Sequence, residues 1–264
     1  MNASEMESDK TERAEVLPVL PLKNTVLLPF TATSLSAGRP ASVAAIEAAL
    51  ATESKELAVV TQRDATIENP AADDFYVFGA KAVIRKMARA PEGAIQLIVQ
   101  GIERIKIASF EQTTPYLKAR VHLAPLPDEK GPEIETLYRS VIELASRALA
   151  IVQPQAQVDL SQLLPLTEDP VQHAYLTASM LGLDVTREQT LLEAPTRIEA
   201  LRLLHSYLAS EIQVLEIRRQ IATKAETEMT RQQREYLLRQ QLAAIQEELG
   251  EKSPEQSEAA LLRE

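Results

Sequence analysis

The chain has 264 residues, 45% hydrophobic and 4% aromatic, with neither Trp nor Cys and a formal net charge of −10. That length suits one large or two modest domains built on an aliphatic core. The lack of cysteine excludes a disulfide framework, a thiol nucleophile and cysteine-ligated zinc, and the acidic balance argues against nucleic-acid binding, which needs Lys and Arg to neutralise phosphate. No apolar run approaches the ~18 residues of a membrane span. Met1 to Glu15 lack the basic start and apolar centre of a signal peptide. A cytoplasmic protein without membrane contact is the expectation.

Proline and glycine divide the chain. Fourteen of fifteen prolines and six of seven glycines lie at or before Pro195, and none of either falls between Thr196 and Leu249. These residues oppose a helix interior most strongly, so the two parts must be built differently.

After a polar segment, 1–15, the stretch from Val16 to Leu126 is strand-like. Glu56 to Gln62, Tyr76 to Met87, Ala94 to Ala108 and Tyr116 to Leu123 are rich in Val, Ile, Tyr and Phe with partial period-two alternation. In Ile102 to Ile107 the alternation is loose, which predicts a bend or a buried end. Pro91-Glu92-Gly93 reads as a hairpin turn. One helix interrupts the strands, with Pro40 in its first turn and Val43, Ile46 and Leu50 on one face. Five or six short strands with one helix predict a barrel-like β domain.

Pro125 to Pro132 reads as a linker, and beyond it the period becomes helical. Ile134, Leu137, Tyr138, Val141, Ile142, Ala145, Ala148, Leu149 and Val152 form one wide apolar face. Asp169-Pro170 predicts a cap and first-turn proline for a helix reaching about Leu181. Thr186 with Gln189 suggests a capping box for a short third helix, and Thr196 with Glu199 repeats the spacing. From there Ile198, Leu201, His205, Leu208, Ile212 and Leu215 form a heptad seam.

With no breaker before Gly250, this last helix is expected to run about 53 residues, or ~80 Å. Its middle is polar: from Lys224 to Glu235 only Ala225 and Met229 are apolar. Such a stretch gains little from burial in its own subunit. Leu238, Leu242, Ile245 and Leu249 then begin a second stripe on a rotated face, and Gly250 is placed as a C-terminal cap.

Chemistry is sparse. No G-x-x-x-x-G-K-[ST] loop exists to cradle phosphate. His122, His173 and His205 are too far apart for a local metal motif, and His205 on the seam reads as a hydrogen-bonded core residue. Asp73-Asp74 reads as a turn before a strand. No catalytic, cofactor-binding or metal residues are assigned, which leaves surface for other proteins. Met229 is a flexible apolar side chain in a polar helical stretch, suited to varied contacts or to a neighbouring helix. It, Tyr236, Leu238 and Leu242 are the candidate substrate or partner contacts.

Two segments carry a resemblance. Leu17-Pro18-Val19-Leu20-Pro21-Leu22-Lys23-Asn24-Thr25-Val26-Leu27-Leu28-Pro29-Phe30, followed by Gly38-Arg39, resembles the opening of Lon proteases. The run from Gln233-Arg234-Glu235-Tyr236-Leu237-Leu238 to Leu249-Gly250-Glu251 is similar to that family's long-helix signature. The resemblance implies an α+β chain: a flexible start (1–15), a PUA-like β-barrel domain (16–126), a linker (127–132), a helical bundle (133–195), a long helix (196–250) and a charged start of the next segment (251–264). It further implies a fragment of a homohexameric ATP- and Mg-dependent serine protease of the AAA+ class with a Ser–Lys dyad, those modules lying outside this chain. The implied partners are unfolded or degron-bearing proteins and copies of itself. A stand-alone protein-binding adaptor and a coiled-coil structural protein are the rival readings.

Overall fold

The computed structural model describes residues 14–68, 70–89, 94–152 and 169–248. The turn at Pro91 to Gly93, the cap at Gly250 and the segment 251–264 lie outside the described residues, as do residues 1–13.

Six strands form the β part: β1 (Glu15–Leu22), β2 (Ala32–Ala37), β3 (Glu56–Thr61), β4 (Phe78–Arg89), β5 (Ile95–Gln112) and β6 (Lys118–Leu123). Their order is β2-β5-β4-β3-β1-β6, and a further β5–β6 pairing closes five of them into a ring. Closure rests on the length of β5. Its 18 residues pair with β2 and β4 along the first half and with β4 and β6 along the second. β1 divides its edges similarly, meeting β6 through Glu15 to Pro18 and β3 through Val19 to Leu22. The β1–β3 pair is parallel and needs a crossover, which contains helix α1 (Pro40–Leu50).

Alternation along β1 sends successive side chains to opposite faces, and both faces are covered. Leu20 and Leu22 join Ile46 of α1, Leu57, Leu97 and Val99 in one cluster. Leu17 and Val19 join Val60, Phe75, Ile105 and Val121 in a second. In the β part, the aliphatic core expected from composition is thus divided between the two faces of one sheet. Asp73 and Asp74 lie in a 3₁₀ turn before β4, and the Asp74 carboxylate accepts from Ala71 N–H at 2.7 Å.

Among the described residues four helices follow: α2 (Pro132–Val152), α3 (Pro170–Leu181), α4 (Val185–Glu193) and α5 (Arg197–Glu248). Asp169 caps α3 by accepting from Val171 N–H at 3.0 Å, and Gly182 closes that helix in the left-handed region at φ 62°. The α4 cap corrects the sequence expectation. Asp184, not Thr186, accepts the first-turn N–H, from Arg187 at 2.9 Å, so the helix begins one residue before Thr186. Gln189 is then free of capping and donates instead to Phe78 O of β4 at 3.1 Å.

The α5 helix starts as its spacing predicts, with Thr196 Oγ1 accepting from Glu199 N–H at 3.1 Å. Leu201, Leu208 and Ile212 of the seam are buried, and Leu204 joins them from beside it. His205 is a core-edge residue whose Nε2 meets Ser140 Oγ of α2 at 3.1 Å. Spatial contacts group the chain into two units, Met1–Ala209 and Ser210–Glu264. In the second, every side chain from Ile217 to Ile245 is exposed. The helix there is supported locally. Thr223, Thr227 and Thr230 each donate to the carbonyl four residues back, and Arg231 pairs with Glu235 at 3.2 Å.

Candidate functional site

Within the first unit, the loop after β1, the middle of β5, the chain after β6 and the starts of α3 and α5 surround a cleft of about 810 Å³. Its shape follows from local backbone events. β5 reaches Gly101 opposite Ala82 and Glu103 opposite Lys81, so Ile102 is an extra residue on its strand. A bulge of this kind re-aims a side chain, and Ile102 lines the cleft. The same bulge accounts for the loose alternation read in the sequence at that point.

Gly101 has a second role. A Cβ there would stand 2.5 Å from Leu28 O, so the loop lies directly on β5 only because the side chain is missing. Phe30 N–H donates to Gly101 O and Gly101 N–H to Thr31 O, both at 2.9 Å. These bonds hold Phe30 at φ 64°, a conformation costly for a bulky residue. Its ring stays 39% exposed at the cleft. Thus the end of the Leu17-to-Phe30 motif has a physical task, which is to set an apolar ring on the cleft wall. Pro125, Leu126 and Val171 continue that wall.

The polar side of the cleft is made by Arg104, Tyr175, Asp169 and Arg197. The Arg104 guanidinium lies 4.2 Å over the Phe78 ring and donates to Ala124 O at 3.0 Å and Ala194 O at 3.1 Å. It therefore ties β5 both to the chain after β6 and to the residue after α4. Burial lowers its pKa from the usual value, opposed by the nearby Glu193 carboxylate. Tyr175 is 2% exposed, and burial pushes its hydroxyl up to about 12, so it stays protonated. Its OH and the Nε atoms of Arg104 and Arg197 have no hydrogen-bond partner among the described residues. Arg197 Nη1 is held by Asp169 at 3.1 Å and Asp128 at 3.6 Å, so the two carboxylates already balance this cation.

The helix α4 docks on the β part through polar side chains. Val26 N–H donates to Glu188 Oε2 at 3.3 Å, alongside the Gln189 bond to Phe78. Burial raises the Glu188 pKa, the Val26 N–H pulls it down, and Asp184 adds to the rise. A folded pKa above the unfolded value, about 4.3, means that the protonated form favours the fold. That contribution is complete below the unfolded pKa and is lost as pH rises through the folded one. Glu188→Gln keeps the acceptor without the charge. It is expected to melt about 1–3 °C above the parent at pH 7.5, the difference closing as pH falls toward 4. Calorimetry across that range checks it, and a constant gap would place the effect elsewhere.

The sequence candidates lie in the second unit. Met229 is 61% exposed, Tyr236 62%, Leu238 54% and Leu242 58%. The hydroxyl of Tyr236 accepts from Gln240 Nε2 at 2.8 Å. No candidate lies at the cleft. Ile217 and Ile221, also exposed, were not singled out from the sequence. Of the histidines, His173 is stacked on Tyr138 with its Nδ1 bonded to the hydroxyl, and His122 stands on β6 opposite Lys106. Among the described residues no group of three or more His, Asp or Glu is arranged to hold a metal ion, and no described helix is long and apolar enough to cross a membrane.

The closed sheet followed by helices, with a cleft half apolar and half hydrogen-bonding where they meet, defines a protein of the β-barrel-plus-helices class. The comparisons make the assignment specific. The model of the ATP-dependent protease La (Lon) substrate-binding domain matches residues 16–210, and the chain belongs to that family. It is 49% identical over 247 residues to a Lon protease of Nitrosococcus oceani, covering 94% of this chain and 32% of the relative. It is 35% identical over 249 residues to a Lon protease of Chloroherpeton thalassium, covering 94% and 29%. The chain thus spans about a third of the length of these curated relatives. The solved N-terminal domain of a Mycobacterium avium complex Lon protease has the same fold, with TM-score 0.60 and 23% identity over 74% of this chain and 98% of that one. The expected α+β architecture, a barrel followed by helices with one very long helix last, is the one observed.

Proposed function

We propose that this chain is the substrate-recognition and hexamer-supporting amino-terminal region of an ATP-dependent Lon-type protease that degrades misfolded and regulatory proteins. The residues that bind ATP and Mg, and the serine–lysine dyad that cleaves, belong to modules outside this chain. In this reading residues 16–126 and 133–195 form the recognition body, and 196–250 are the arm toward the motor. The parent works in the cytoplasm, and its partners are unfolded or degron-bearing proteins and its own copies.

One observation carries the reading. Large apolar side chains stand uncovered on an otherwise polar helix at Met229, Tyr236, Leu238 and Leu242. Leu238, Leu242 and Ile245 recur at helical spacing as one exposed apolar stripe, and a contiguous stripe supports contact with another chain. Met229 suits varied clients because its thioether side chain adapts to their shape.

The purified chain is expected to bind an unfolded casein-like protein and neither to hydrolyse ATP nor to cleave. Met229→Asp is expected to weaken that binding about threefold to tenfold with the melting temperature unchanged within about 1 °C, since surface substitutions stay within ~0.5 kcal/mol. Fluorescence anisotropy and a thermal melt decide. A variant that melts far lower would make Met229 a structural residue, and ATP turnover by the chain would overturn the division of labour.

A further inference from the structure

The strand β2 ends the sheet: it pairs with β5 and, among the described residues, with no other strand. Its outward groups can be identified. Gly101 N–H donates to Thr31 O, and the register continues as Thr33 opposite Val99, Leu35 opposite Leu97 and Ala37 opposite Ile95. In an antiparallel ladder, hydrogen-bonded pairs alternate with non-bonded ones. Thr33, Leu35 and Ala37 therefore bond to β5, and the N–H and C=O of Ala32, Ser34 and Ser36 point away from it. Among the described residues no hydrogen bond reaches those outward groups.

Edges of this kind are normally guarded by charge, proline or a bulge. The sequence Ala-Thr-Ser-Leu-Ser-Ala contains no charged residue and no proline, and its six rungs with β5 run without a register shift. Leu35 is only partly buried at the margin of the cluster formed by Ile46, Leu97 and Val99. A strand laid beside β2 would place a side chain against Leu35 and extend that core. Its neighbours, opposite Ser34 and Ser36, would stay in solvent.

From this we infer that β2 is a main-chain docking edge, where an extended segment of a client polypeptide adds as a further strand. The inference rests on the substrate-recognition reading above and names how recognition works. Backbone bonds carry no sequence information, while the place beside Leu35 selects an apolar residue among alternating polar ones. That pattern belongs to strands that a native protein buries and a misfolded one exposes. A second copy of this chain laid on the same edge is the competing occupant, and the concentration dependence of amide exchange separates it from a client strand.

The test uses the intact chain and a labelled ten-residue peptide of alternating Thr and Val, flanked by lysines. Ser34→Pro removes one outward N–H and none of the bonds to β5, a change tolerated on an edge facing solvent. Ser34→Ala removes only the hydroxyl. The expected results are a tenfold or greater loss of peptide affinity for Ser34→Pro, no change for Ser34→Ala, and similar loss for the unchanged protein when alternate peptide amides are N-methylated. Amide exchange in the unaltered protein provides a readout independent of any variant's folding. Peptide should slow Ala32, Ser34 and Ser36 together.

Exchange unaltered at those three amides under saturating peptide overturns the docking edge, even if casein-like clients still bind elsewhere and the functional reading stands. Slowing that depends on protein concentration without peptide also overturns it, by assigning the edge to a second copy. Failure of both peptide and unfolded protein to bind overturns the edge together with the reading on which it rests.

Discussion

Gly101→Ala should lower stability by about 3 kcal/mol. The added methyl would stand 2.5 Å from Leu28 O and 3.3 Å from the Pro29 Cα, both backbone atoms that cannot turn aside. Overfilling a close-packed site typically costs ~1–3 kcal/mol, and more when rotamer changes give no relief. Relief here means lifting the loop from β5, which breaks the 2.9 Å bonds at Phe30 and Thr31 and withdraws the Phe30 ring from the cleft wall. Gly79→Ala should behave similarly, since its Cβ would meet Val59 O at 2.3 Å. Gly38→Ala supplies the contrast: its Cβ would meet nothing within 4 Å, so it should be neutral or stabilising by up to ~1 kcal/mol. Urea unfolding of the three variants checks the order. Equal midpoints for Gly101→Ala and Gly38→Ala would show that the loop rests on β5 without dependence on the missing side chain.

Comparing these glycines shows what the sequence could reveal. Gly38-Arg39 was notable as a motif, yet space around Gly38 is open. The residue with structural work is Arg39, which donates to Gln62 Oε1 and Pro21 O, both at 3.0 Å. Gly101 stood inside a strand-like run with nothing to mark it, because its constraint comes from Leu28, 73 positions earlier in the chain. Local signals were legible for a local reason. Proline at the start of α1, Asp169-Pro170 before α3 and Thr196 before α5 each act within four residues of themselves. The absence of breakers beyond Thr196 likewise foretold the length of α5.

The cleft was not legible, because its parts come from distant segments. Phe30, Ile102 and Tyr175 lie on separate elements, and the bulge that aims Ile102 is a property of pairing between β4 and β5. The strand β2 went unnamed for a different reason: its small residues lack the β-branched and aromatic signature that marked the other strands. In contrast, Met229 and Tyr236 stood out in the sequence as apolar residues in a polar stretch, which left packing on a neighbouring helix and open exposure both possible; in the fold they are exposed.

The same distinction sets the expectation for Arg104, which nothing in the local sequence singled out. Arg104→Leu should cost about 3 kcal/mol, comparable to Gly101→Ala. It leaves Ala124 O and Ala194 O without their donors at 3.0 and 3.1 Å. Hydrogen bonds to a charged group are worth ~1.5–3 kcal/mol each, and a buried carbonyl left unpaired adds its own penalty. Part of this is returned by the apolar side chain, which avoids desolvating a guanidinium. Arg104→Lys separates charge from geometry. A single ammonium cannot reach two carbonyls on different segments while lying flat on the Phe78 ring, so lysine should recover less than half of the loss. Amide exchange gives the finer measurement: in both variants the residues around Ala194 should lose protection before those of β1 and β3, because the bond between β5 and the end of α4 has gone. If lysine restores full stability, the positive charge alone holds that junction, and the two-carbonyl bridge has no separate role.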